Sequence, residues 1–177
     1  TETIQRGLAQ VRWPARMEII NTLGNAEPLI IVDGAQNRDS ALKLREAVTE
    51  WFPAHRWILI FGASADHDIA GMWDELLPVA HTVIPTASHH PRAANAEMLA
   101  EQVRHHPHCP SRLLVEPTVA QAMETALGLA EEGDLICVAG SLFVAAEARE
   151  AWAQRYPHAF PEDDWVFQTE PLSLTMG

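Results

Sequence analysis

A chain of 177 residues, 47% apolar and 20% charged, has room for one domain with its own core and hardly for a second. Twelve basic against twenty-four acidic residues give a net charge of −12, which argues against an electrostatic grip on nucleic acid or an anionic membrane. Cys109 and Cys137 show no CxxC spacing, no apolar stretch reaches the roughly 18–20 residues of a membrane span, and no signal-peptide core opens the sequence; the expectation is a soluble, cytoplasmic protein.

In chain order, Met17–Asn21 is a candidate edge strand ahead of a Gly24-Asn25 turn. Leu29–Asp33 (LIIVD) is the first strong apolar run; Ala41, Leu44, Val48 and Trp51 then form a helical stripe after Asn37, ended by Pro53. Trp57–Phe61 (WILIF) is a second strand, and Asp68 caps a helix carrying Ile69, Met72, Trp73, Leu76 and Leu77. His81–Ile84 precedes a helix over Asn95–Val103. Arg112–Val115 precedes a stripe of Val119, Ala122, Met123, Ala126, Leu127 and Ala130, opened by Thr118 and Gln121 at capping-box spacing. Asp134–Ala139 (DLICVA) is the last strong strand, followed by a helix over Leu142–Trp152.

Runs apolar almost throughout suit strands covered on both faces. Alternating strands and helices predict an α/β fold: a three-layer, Rossmann-like, mostly parallel sheet of about five to six strands with helices on both faces. One domain over residues 1–177 is expected, with its core over about 5–156. The tail, 157–177, is broken by Pro157, Pro161 and Pro171 and is expected to pack across the body or add an edge strand. Trp51, Trp73 and Trp152 fall on helical apolar faces and Trp57 opens a strand, so these are expected in the core, with Trp13 the one candidate platform for a nucleobase.

Ligands of open α/β sheets sit beyond the carboxyl ends of the strands. There the sequence places Asp33-Gly34-Ala35-Gln36-Asn37, then Phe61-Gly62 with Asp66-His67-Asp68, then Thr86 and Pro91-Arg92-Ala93, and finally Gly140-Ser141. Carboxylates, amides, hydroxyls and helix-start N–H groups on one rim suit an anionic or sugar-bearing ligand; ordinary turn chemistry explains the same residues one at a time. A GxGxxG fingerprint is missing, and the only lysine, Lys43, stands inside a helix, so no P-loop is present. His89-His90 and His105-His106 with His108 and Cys109 lack a zinc spacing and are expected to be solvated loop residues; no metal site is expected.

These segments, together with Trp13-Pro14-Ala15-Arg16-Met17-Glu18 and Gly140-Ser141-Leu142-Phe143-Val144, resemble the C-terminal domain of folylpolyglutamate synthase and dihydrofolate synthase, in the Mur ligase superfamily. The resemblance covers about residues 5–150. It implies an ATP-dependent ligase that adds glutamate to dihydropteroate or folate through an acyl phosphate. The P-loop and magnesium ligands would belong to an N-terminal ATPase domain not in this sequence, so this chain alone is expected to be a monomer without ligase activity. Arg16 then corresponds to the arginine that reaches the ATP phosphates, where a fixed, forked charge suits the work. Asp33 corresponds to a nucleotide-contacting aspartate, with Gln36 and Asn37 beside it. Ser141, Arg92 and His67 are implied on the substrate side, Ser141 and Arg92 for a glutamate carboxylate; Ser141 is equally well explained as a helix cap.

Three departures stand out. Ala15 replaces the family's glycine, a mild change unless φ there is positive. Gln36 replaces a histidine and His67 a lysine, which weakens the positive charge near a phosphate. A muramyl-peptide ligase domain and a non-catalytic nucleotide-binding or interaction module are the alternatives.

Overall fold

A computed structural model describes residues 13–21, 28–53, 55–161 and 164. The expected Gly24-Asn25 turn and most of the tail, Trp165-Val166-Phe167 included, lie outside them. Among the described residues six strands form one sheet: β1 (Glu18–Ile19), β2 (Leu29–Val32), β3 (Arg56–Phe61), β4 (Ala80–Pro85), β5 (Arg112–Leu113) and β6 (Asp134–Ala139). Their spatial order is β1-β2-β6-β3-β4-β5, with β1 antiparallel to β2 and every other pair parallel. Among the described residues the α-helices are α1 (Arg38–Trp51), α2 (Ile69–Leu76), α3 (Ala96–Arg104), α4 (Val119–Leu129) and α5 (Leu142–Arg155).

The apolar runs split by parity into two cores. Ile31, Leu59, Phe61, Leu135 and Cys137 point to one face, where they meet Leu44 and Val48 of α1, Met72 and Trp73 of α2, and Leu99 of α3. Ile30, Val32, Ile58, Ile60, Ile136 and Val138 point to the other, where they meet Met123 of α4 and Ala148 and Trp152 of α5. Both sides of β2, β3 and β6 are therefore dry, which is why alternation is missing from their sequences. Side-chain caps set the helix starts: Asn37, Asp68, Asn95, Thr118 and Ser141 each accept a backbone N–H of the first turn.

One core assignment is corrected. Trp51 is 70% exposed. It is the last residue of α1, and Phe52, leaving the helix, packs against the core in its place. Trp57, Trp73 and Trp152 are buried as expected. Among the described residues no helix is long and apolar enough to cross a membrane.

Candidate functional site

The carboxyl ends of β2 and β6 lie side by side, and Asp33 N–H donates to Val138 O at 2.9 Å just where the ladder ends. From there the chain turns through Gly34 toward the capping box of Asn37 and Ser40 at the start of α1. The 15–17 loop folds over this turn: Gly34 N–H donates to Ala15 O at 2.8 Å. Asp33 grips both sides, its Oδ2 accepting Met17 N–H at 2.8 Å and its Oδ1 accepting Ala35 N–H at 2.7 Å. Burial pushes the Asp33 carboxyl above its usual range, against the pull of those two amides and of the Arg16 charge.

The loop holds an unusual backbone. Ala15 and Met17 have φ of +56° and +46°, so the position where the family carries glycine does demand a left-handed residue. Alanine there costs about 1–2 kcal/mol. Its methyl is buried in the second core, worth about 0.8 kcal/mol, so much of that cost is offset. The loop leaves Arg16 exposed, with its guanidinium over Gly34; a Cβ on Gly34 would collide with Arg16 Nη1.

Arg16, Asp33, Gln36 and Asn37 line one cleft of about 530 Å³. Met17, Leu44 and Ala47 add apolar lining, and Asp39, Ser40 and Lys43 line it as well. Asp39 and Lys43 were not expected there; they lie one and five residues into α1, on the face turned to the cleft, and Lys43 pairs with Glu46 at 2.8 Å. Apolar lining beside a forked cation and a helix start is the composition of a site for a flat, anion-bearing ligand. Trp13 is 72% exposed and is not among the cleft's lining residues.

The three residues expected on the substrate side stand further along the rim. Ser141 is buried and caps α5, its Oγ accepting Phe143 N–H at 3.1 Å. His67 sits with Nδ1 3.2 Å from Gly140 O. A carbonyl only accepts, so Nδ1 carries the proton and Nε2 is free to accept when the ring is neutral. Arg92 is exposed and pairs with Asp66 at 3.1 Å. The loops after β3 and β4 are zipped together by Ala65 N–H to Arg92 O and Ala94 N–H to Ala63 O, both 2.8 Å, which fixes Arg92 relative to His67.

Among the described residues no group of three His, Cys, Asp or Glu side chains is arranged to hold a metal ion. The rim carboxylates are already engaged: Asp33 by amides, Asp68 as a cap and Asp66 by Arg92. What the sequence did not reveal is the support beneath the loop. Glu18 Oε2 accepts Ala15 N–H at 2.8 Å and is gripped by Arg149, whose only sequence signal is a charge amid the apolar face of α5.

Known proteins share this chain's sequence pattern and fold. A probable bifunctional folylpolyglutamate synthase/dihydropteroate synthase from Halobacterium salinarum is 33% identical over 155 residues, 88% of this chain and 18% of the relative. E. coli FolC, solved in complex with DHPP and ADP, superposes with a TM-score of 0.75 at 28% identity, covering 87% of this chain and 34% of that one. A bifunctional folylpolyglutamate synthase/dihydrofolate synthase solved with Mn, AMPPNP and L-glutamate bound superposes at 0.72 with 26% identity, over 85% of this chain and 34% of its own. The chain thus spans about a third or less of the relatives it matches. The family described as Mur ligase, glutamate ligase domain, matches residues 15–142, from the Arg16 loop to the start of α5, and it is to this family that the chain belongs.

Proposed function

We propose that this chain is the C-terminal part of an ATP-dependent ligase that joins glutamate to a dihydropteroate or folate carboxylate. In that reaction the γ-phosphoryl group of ATP passes to the acceptor carboxylate and ADP leaves. The glutamate amine then attacks the acyl carbon, inorganic phosphate departs and the nitrogen loses a proton. Neither step needs a nucleophile from the protein, so the work is positioning and charge neutralisation.

The convergence of Arg16, Asp33, Gln36 and Asn37 on one cleft is the observation that supports this reading most strongly. Arg16 meets the nucleotide phosphates with a charge that does not titrate. Asp33 shapes the loop that carries it, its two carboxylate oxygens holding the Met17 and Ala35 amides at the wall of the nucleotide cleft. Gln36 and Asn37 supply amides at the start of α1. On the substrate side Ser141, Arg92 and His67 face the amino acid and the transferring phosphoryl group. The remaining parts, the P-loop and the magnesium ligands, come from an N-terminal ATPase domain that closes on this rim.

The test supplies the gene product carrying this chain with ATP, magnesium, glutamate and either dihydropteroate or tetrahydrofolate, and follows phosphate release. Release that depends on both glutamate and a pterin is expected; its absence with every pterin overturns the reading. Arg16→Ala should raise the ATP requirement by about a hundredfold, the scale of losing one charge-assisted phosphate contact.

A further inference from the structure

Arg149 has no exposed surface, although it carries a full charge in the middle of α5. A buried charge persists only where partners satisfy it. Its Nε lies 2.8 Å from Glu18 Oε2, and its Nη2 donates to Glu18 Oε1 at 3.1 Å. Nη1 and Nη2 also donate to the two oxygens of Asp164 at 3.0 and 2.8 Å, and the guanidinium stacks 4.4 Å from the centre of the Phe160 ring. Glu18 hands the constraint on, because its Oε2 also accepts Ala15 N–H.

We propose that Arg149 is a positioning residue for Arg16, and that the segment after α5 acts through it as a clasp on the Arg16 loop. The inference rests on the nucleotide role of Arg16 proposed above. Ala15 and Met17 occupy left-handed backbone conformations, which persist only where the surroundings over-determine them. Two carboxylates bind the loop's amides, Asp33 taking Met17 N–H and Glu18 taking Ala15 N–H, while Gly34 N–H holds the Ala15 carbonyl. Asp33 directly follows β2 and its own N–H is tied to Val138 O of β6 in the middle of the sheet, whereas Glu18 lies on the two-residue strand β1 beside β2, where Arg149 grips its carboxylate. Asp164 and Phe160 orient Arg149 in turn. The path Asp164–Arg149–Glu18–Ala15 thus ends one residue from the side chain that meets ATP. Arg149, Phe160 and Asp164 all follow residue 142, where the family match ends.

The experiment uses the full gene product and two readouts. Asp164→Asn keeps the shape of the clasp and removes its charge, so it serves where Arg149→Met fails to fold. It should speed hydrogen exchange of the Ala15 amide about tenfold while leaving the β6 amides of Ile136 and Val138 unchanged. It should raise the KM for ATP by about tenfold or more with little change in kcat, the scale expected of a displaced binding group. Arg149→Lys should not restore either property, since one ammonium cannot make the forked contacts. In an Arg16→Ala background, Asp164→Asn should leave the KM for ATP where Arg16→Ala alone puts it. Unchanged exchange at Ala15, or effects of Asp164→Asn and Arg16→Ala that multiply in the double variant, would overturn the clasp. An ATP dependence indifferent to Arg16→Ala would overturn the nucleotide role of Arg16 instead, and the exchange result then decides the clasp by itself.

Discussion

Asp33 and Met17 stand sixteen residues apart, and a 2.8 Å hydrogen bond from the Met17 N–H to the Asp33 carboxylate, beside the one from Gly34 N–H to Ala15 O, fastens the site loop to the turn after β2. Because the other oxygen is committed to Ala35, Asp33→Asn leaves one of two N–H donors facing an amide that also donates. The variant should lose about 1–3 kcal/mol in denaturant unfolding, the usual penalty for an unsatisfied buried donor. It should also raise the ATP requirement in parallel with Arg16→Ala. Full stability would show that the bond carries no weight.

Gly34→Ala separates the loop's function from its stability. The added methyl meets the far end of the Arg16 side chain, with Leu142 Cδ1 at 3.2 Å and Ala15 O at 3.4 Å as the next neighbours. A flexible guanidinium moves aside at little cost, so unfolding should shift by less than about 1 kcal/mol. The KM for ATP should rise all the same, because Arg16 has lost its resting place. A wild-type KM would detach the guanidinium position from binding.

Gly140 is a different case. Its φ is +106°, and a Cβ there would lie 2.6 Å from the Gly62 carbonyl and 2.9 Å from the buried ring of Phe61. Neither neighbour can yield, because both terminate β3 in the middle of the sheet. Gly140→Ala should destabilise by about 3 kcal/mol in chemical denaturation, combining overpacking with a disfavoured φ. A loss under about 1 kcal/mol, the size of an ordinary surface change, would contradict this packing.

The other end of β6 gives a pH prediction. Asp134 accepts Arg56 Nε at 2.7 Å and Arg56 Nη2 at 2.9 Å, and the Arg56 guanidinium holds its carboxyl below the usual carboxylate range. A carboxyl with a lowered folded pKa stabilises above its unfolded pKa, near 4, and loses that contribution as pH falls through the folded value. Asp134→Asn should therefore lower Tm by about 2–4 °C at pH 7. The gap should close progressively below about pH 4, as the wild-type carboxyl is protonated. A gap constant from pH 7 to pH 2 would mean that the charge has no part in it.

Much of the architecture was legible because burial on both faces leaves an unmistakable trace: LIIVD, WILIF and DLICVA have almost no polar residue to interrupt them. Trp51 was misplaced because helical period alone cannot tell the last turn of α1 from its middle, and Phe52 took the core position. The cleft was readable only in part. Arg16 and Asp33 could be paired through resemblance, yet nothing local marked Lys43 and Asp39 as part of its lining. The Glu18–Arg149 contact was out of reach altogether, since it joins residues 131 apart in the sequence and neither stripe nor motif encodes such a pairing.

The strand order has a consequence for how the chain comes to exist. Among the described strands β6 is the last to leave the ribosome, yet it lies between β2 and β3 and supplies the ladder to each. Until Asp134–Ala139 emerge, β2 and β3 have no neighbour in common, and two apolar edges wait unpaired. Folding is therefore gated late, by contacts that span more than seventy residues on one side and about a hundred on the other. A nascent chain stalled before β6 is a sticky object rather than a smaller domain, and it is at that stage that a chaperone has the most to shield.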